Sequence, residues 1–261
     1  MNFWTYHHLI TYVPSLAFMM VIAAILRKVL LNKDKKIRLI PFQFLAVSLF
    51  TLEVVKQIIS LTRGYDLYHL PFHFCSMFIF FIPLSAFYRG KWEKPAFSFT
   101  TFICSVLFMF MLICPNTVYA DTSIENMFTD FLFFHQVIFH NIAVFEFILI
   151  VSLKLYEPNT KFDLKIAAIA LPCYCLIGSV MAQVLKTNYN NFYYCTADFI
   201  DNVRLDIIDT IGYAAGQTVY VIGVSAVILF FALISYFVYR LIYKVVNTKF
   251  ANTKKESEQC E

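Results

Sequence analysis

The chain has 261 residues, 60% of them hydrophobic and 15% charged, with thirty Phe and a formal net charge of +4. A water-soluble domain cannot hide that much apolar surface, so lipid is the expected solvent. No long polar segment remains for a separate soluble domain, and no Lys or Arg precedes Arg27, which argues against a cleaved leader with a basic start.

In chain order, apolar blocks near the length of roughly 20 residues needed to cross a bilayer core fall at 9–26, 40–62, 68–88, 96–114, 128–153, 164–186 and 208–240. The expected fold is all-α: a polytopic membrane bundle of about seven helices over 1–248, then a short polar tail, 249–261, without structure of its own. Pro14, Pro71, Pro83 and Pro172 sit within these blocks. Membrane helices tolerate proline where neighbours satisfy the freed carbonyls.

Most of the 21 basic residues fall in alternate loops. Arg27, Lys28, Lys33, Lys35, Lys36 and Arg38 follow the first block. Arg89, Lys91 and Lys94 follow the third, Lys154, Lys161 and Lys165 the fifth, and Arg240, Lys244, Lys249, Lys254 and Lys255 the last. The positive-inside rule then places the N-terminus outside and the C-terminus in the cytoplasm. The basic rim reads as topology and contact with anionic lipid heads. No basic, aromatic-lined surface calls for nucleic acid.

Polar residues inside the blocks converge on the outer half of this topology. Glu53, Lys56, Gln57 and Ser60 recur on one face of the second block, which ends at Arg63. His69 and His73 open the third, His135 and His140 lie in the fifth, and His7, His8, Asn188, Asn191, Asp206 and Asp209 stand at outer ends. Ionisable groups in a bilayer are costly and face cavities or one another. A shared polar cavity is therefore expected, with Glu53, Lys56, Arg63, His69, His135, Asn188 and Asn191 as its binding groups. Each has a bland alternative: Glu53 with Lys56 is a simple i,i+3 pair, and Glu146 a neutral buried acid.

If the third block is helical from residue 68, Asp66, His69, His73 and Ser76 share a face. Cys75 then lies roughly 200° from His73, so a Cys75 thiolate needs its base from His135 or His140. His69 and His73 have i,i+4 ligand spacing, but no HExxH, CxxC or carboxylate pair completes a zinc site, and no metal or cofactor is expected. Walker, Rossmann and GxSxG signatures are absent. Of seven cysteines, Cys114 and Cys195 fall near one membrane face, with no spacing framework to pair them.

Leu70-Pro-Phe-His73-Phe-Cys75 resembles the LPxHxC element of YwaF-type bacterial integral membrane proteins. Phe134-His-Gln-Val-Ile-Phe-His140 matches their following histidine-bearing span, and Thr187-Asn-Tyr-Asn-Asn-Phe-Tyr-Tyr-Cys195 their NYxxL-like turn; His8 fits as well. That family looks related to the eukaryotic transmembrane protein 164 group, whose members resemble lipid acyltransferases with a cysteine nucleophile in an Asn-Pro-Cys-His motif. The resemblance carries histidines onto His73 and His140 and implies a bacterial plasma membrane. Phe72 stands at the nucleophile's position, and Cys75 lies three residues further on. The implied activity is acyl transfer or hydrolysis on a membrane lipid, with His73 or His140 as base and Cys75 or Ser76 as nucleophile. The alternative is a non-catalytic carrier or receptor for a small polar ligand or lipid head group. Oligomeric state is left open.

Overall fold

The computed structural model describes residues 4–258, with side chains through Thr248. The expectation for the tail, 249–261, thus falls on residues whose side chains or backbone lie outside the described set. The α-helices are α1 (Tyr6–Leu30), α2 (Lys35–Arg38), α3 (Ile40–Thr62), α4 (Met77–Phe87), α5 (Glu93–Ile113), α6 (Asp121–Glu125), α7 (Phe131–Ser152), α8 (Thr160–Leu185), α9 (Asp198–Ile211) and α10 (Tyr213–Glu258). No strand occurs among the described residues. Six helical stretches are long and apolar enough to cross a membrane, and Phe74–Phe87 is a shorter apolar helix. The protein is a multi-pass, all-helical membrane bundle.

The apolar sequence decides which helices lie inside. α5 is buried along most of its length, with small Ser98, Thr100, Thr101, Cys104 and Ser105 letting its neighbours approach. It packs on α4, α7, α8 and α10, and α7 in turn packs on α3 and α1. Aromatic pairs fill the contacts, among them Phe81 with Phe99, Phe102 with Tyr236 and Phe108 with Phe147. α1 and α10 keep only narrow buried stripes and turn the rest outward.

Side-chain contacts define two ends. At the basic end Lys35 Nζ meets Glu93 at 2.8 Å, Arg38 donates to the Leu153 carbonyl at 2.7 Å, and Gln43 donates to the Ala86 carbonyl at 2.9 Å. At the histidine end His8 Nε2 bonds the Tyr119 carbonyl at 2.9 Å, Arg63 pairs with Asp130 at 2.8 Å, and Tyr189 donates to the Leu67 carbonyl. The basic loops that the sequence places on one side do gather at one end.

Two expected spans are corrected. The third is not helical from residue 68: the chain makes two single 3₁₀ turns, Leu67–His69 and Phe74–Ser76, around an extended Leu70. Pro71 accounts for part of this, since the residue before proline is driven out of the helical region. The helical part, Phe74–Phe87, is about 20 Å long at 1.5 Å per residue, short of a hydrocarbon core about 30 Å thick. The last expected span, 208–240, is not one helix: Gly212, at φ +84°, separates α9 from α10. Only glycine adopts that conformation without strain.

Candidate functional site

The site is built from the second half of α3, the broken segment that follows it, and the first half of α7. Glu53 is buried, and three partners hold it. Its Oε1 accepts from Lys56 Nζ at 2.6 Å and from Gln57 Nε2 at 2.7 Å, while Oε2 lies 3.1 Å from His135 Nε2. The last contact has ion-pair distance without the alignment of a hydrogen bond. Gln57 extends the network. It also donates to the His69 carbonyl at 2.9 Å and accepts from the Tyr65 hydroxyl at 2.7 Å. Gln57 lies five residues, about 7.5 Å of helix, in from the end of α3 at Thr62. The bonded carbonyl therefore draws the 63–73 segment back into the bundle, where irregular backbone survives only when protein or a polar cavity satisfies it.

The Lys56–Glu53 pair is the hub. The ammonium is held by Glu53, Glu53 reaches His135 on α7, and Gln57 reaches the His69 carbonyl. The second and third expected spans and the histidine-bearing fifth thus meet at one place. His140 is mostly buried, and its Nδ1 bonds the Gln136 carbonyl at 2.6 Å. A carbonyl only accepts, so Nδ1 carries the proton and Nε2 of the neutral ring keeps its lone pair. By the same logic His73 donates from Nε2 to the Tyr68 carbonyl at 3.1 Å and leaves Nδ1 as the acceptor. Tyr68 and Tyr189 pack edge-on against its ring, with centroids 4.3 and 5.2 Å away. Neither acceptor nitrogen has a hydrogen bond among the described residues. Each ring is thus held by one nitrogen and presents the other, which is the arrangement a general base needs.

Other expected site residues stand elsewhere or act differently. The shared helical face of Asp66, His69, His73 and Ser76 does not form, because that stretch is not helical. Asp66 instead accepts from the Tyr68 backbone N–H at 2.8 Å. Cys75 packs against the apolar core with Phe74 and Phe81, and its sulfur has no hydrogen bond to a histidine among the described residues. Ser76 is buried one residue on, its backbone N–H donating to the His73 carbonyl at 3.0 Å. Arg63 is spent on Asp130 at the rim. The Leu132 N–H and the Arg63 guanidinium hold that carboxyl below the usual carboxylate range. Asn188 and Asn191 bond within their own loop, Asn188 Oδ1 accepting from the Tyr193 N–H and Asn191 Oδ1 from the Thr196 N–H. Cys114 and Cys195 are both free thiols.

The loop residue that does reach the broken segment is Asn190. Its Oδ1 accepts from the Phe74 N–H at 2.8 Å, and its Nδ2 donates to the Phe72 carbonyl at 3.1 Å, so one side chain grips the backbone on both sides of His73. Tyr174 adds a second donor to Phe72 and contacts Asn190 itself. Asn190 and Asn191 have φ of +49° and +62°, which asparagine tolerates better than most residues. The sequence places Gln57 on the polar face of the second block but not among the binding groups, and shows Asn190 only as part of the 187–195 turn. The run Asn190-Asn191 signals a left-handed turn, but not which backbone that turn clasps.

Among the described residues no three His, Cys, Asp or Glu side chains are grouped to hold a metal ion. A cleft of about 540 Å³ lies at the basic end, between Lys35, Glu93, Lys94, Tyr156 and Glu157, away from the histidines.

A family model described as the TMEM164 family matches residues 3–239, nearly the whole chain. No curated protein and no solved structure matches.

Proposed function

The chain belongs to the TMEM164 family, and on that premise we propose that the histidine end is a lipid-active site carrying out acyl transfer or hydrolysis on a membrane phospholipid. The observation that carries this reading is the buried Lys56–Glu53 pair set against His135, with two backbone-anchored imidazoles, His73 and His140, on the elements it joins. Lys56 receives the lipid phosphate, a role its charge suits. His73 or His140 takes the proton from a nucleophile on the Cys75–Ser76 turn. The nucleophile attacks the ester carbonyl, the lysolipid leaves with the proton, and water or an acceptor hydroxyl then releases the acyl group. The gathering of basic residues at the opposite end supports placing this site in the outer half of a bacterial plasma membrane, with the N-terminus outside and the C-terminus in the cytoplasm.

A second reading rests on the absence of a histidine partner for the Cys75 sulfur: the same cluster holds a head group or small polar ligand without turning it over. One experiment separates the two. The protein is reconstituted with a phospholipid, and lysolipid, free fatty acid and transferred acyl chains are followed by mass spectrometry. Turnover is expected, and His73→Ala and His140→Ala should each abolish it in protein that still elutes as folded. Cys75→Ala and Ser76→Ala then identify the nucleophile. Turnover surviving in both excludes that turn as its source, and no turnover in the unaltered protein leaves the binding reading.

A further inference from the structure

α9 is the longest described helix that the bundle leaves uncovered. None of its fourteen residues is buried. At 100° per residue, Phe199, Ile200, Val203, Ile207 and Ile211 fall with Thr210 in one arc of about 120°, and Asp198, Asn202, Asp206 and Asp209 fall in an adjoining arc of about 80° that begins beside Phe199. A third strip, between them, carries Asp201, Arg204 and Ile208, and it faces α10. Arg204 donates to Gln217 Oε1 at 3.3 Å and its guanidinium stands 5.8 Å from the Tyr220 ring centre. Ile208 lies so close to Gly216 that a Cβ there would meet the Ile208 Cα at 2.7 Å. The pairs 208 with 216 and 204 with 220 make α9 and α10 an antiparallel hairpin closed at Gly212.

The height of that hairpin is fixed by the same side chains. Gln217 donates to the Phe192 and Tyr193 carbonyls, and Gln183, in the last turn of α8, donates to the same Phe192 carbonyl at 2.9 Å. The α10 turns that hold α9 are therefore level with the end of a spanning helix. They also carry exposed Val219 and Ile222, which face lipid in such a helix. The uncovered arc of α9, with Phe199 79% exposed, continues that lipid-facing surface at the edge of the bilayer.

We propose that α9 is a lipid-docking helix. Its apolar arc enters the boundary between head groups and acyl chains of the leaflet at the histidine end, with the acidic arc turned to water. Its partner is a zwitterionic lipid surface, because three exposed carboxylates on the water side repel anionic head groups. The helix is also tied to the site. Asp201 accepts from the Cys195 N–H at 2.9 Å and Tyr220 donates to the Asn191 carbonyl at 2.6 Å, which anchors the loop whose Asn190 holds Phe72 and Phe74. A lipid seated on α9 thus touches an element that bears on the backbone flanking His73.

The test needs no lipid turnover, so it stands apart from the catalytic reading. Benzoylphenylalanine is placed singly at Val203, Ile207, Asp209 and, as a lipid-facing control, Ile222, and the full-length protein is irradiated in phosphatidylcholine nanodiscs. Expected are adducts of phospholipid mass at 203, 207 and 222, and none at 209. Both probed apolar positions are free of buried contacts, so folding is not at stake. No adduct at 203 and 207 beside a positive 222, or cross-links joining two copies of the chain there, overturns the proposal. Replacing part of the phosphatidylcholine with phosphatidylglycerol should lower the yield at 203, and an increase would overturn the preference for zwitterionic heads.

Discussion

Glu53 and Asp163 are both buried carboxylates in spanning helices, and the surroundings of the two could hardly differ more. Asp163 accepts from Ser98 Oγ at 2.7 Å, from the Asn159 N–H at 2.8 Å, from the Tyr236 hydroxyl at 2.6 Å and from the Tyr156 hydroxyl. Four neutral donors, from α5, α10, the α7–α8 connection and the residue capping α8, close around it, and among the described residues no cation forms an ion pair with it. Glu53 is held by a lysine and a glutamine from its own helix and by an imidazole from α7, and beyond them stand rings with unused acceptors. A carboxylate saturated by neutral donors has nothing left to exchange and serves as a lock. One held by a cation and an imidazole sits among groups that can rearrange around a ligand.

Substitution at the two acids should separate lock from site. Asp163→Ala strands three hydroxyls and an N–H in the interior and should cost the most, about 4 kcal/mol or more at roughly 1–3 kcal/mol per unsatisfied donor. Thermal unfolding in detergent would show it. Lipid turnover per folded molecule should stay near that of the unaltered chain. Glu53→Gln keeps a hydrogen-bonding group beside Lys56 and Gln57 and should cost less, about 2–3 kcal/mol, yet remove turnover or head-group binding altogether. A Glu53→Gln protein that melts as early as Asp163→Ala but remains fully active would reverse the roles assigned here.

Asn190→Ala comes next. It leaves the Phe74 N–H without its side-chain partner and the Phe72 carbonyl with Tyr174 alone, at about 1–3 kcal/mol. Hydrogen exchange over 66–74 should quicken while the spanning helices keep their protection. The smallest effect is expected at Asp201, whose partner Arg204 holds its carboxyl below the usual range. The carboxylate's contribution is fully present above its unfolded pKa of about 3.9 and is lost as pH falls through the lower folded value. The protection of α9 amides, relative to their intrinsic exchange rates, should therefore be flat from neutral pH down to about 4. Asp201→Asn should cost about 0.5–1 kcal/mol, and an α9 that loosens near pH 6 would implicate another group.

Much of the bundle was legible because hydrophobic length and the placement of Lys and Arg are local properties of the chain. The first, second, fourth, fifth and sixth spans, and the meeting of Glu53 and Lys56 with a histidine of α7, follow from them. What escaped depended on distant partners. Pro71 was visible, but membrane helices often absorb a proline, and the break here is held by Gln57 and Asn190 from elsewhere in the chain. Asp163 gives no signal in the sequence, because its partner Tyr236 lies 73 residues away. α9 hid inside an expected span because its isoleucines run into the apolar start of α10, and a single glycine marks the division.

The short fourth helix bears on how the chain enters the membrane. Segments emerging from a ribosome are partitioned by the apolar length each one offers, and the fourteen residues of Phe74–Phe87 offer less than a bilayer asks of an independent anchor. α4 packs between α3 and α5, so its lodging in the bilayer should wait for α5. A nascent chain arrested just after Arg89 should leave a label at Phe80 open to aqueous reagents, and one arrested beyond Ile113 should protect it. That outcome is expected if α3, α4 and α5 insert as one unit, with the polar break that makes the site possible carried in by its neighbours.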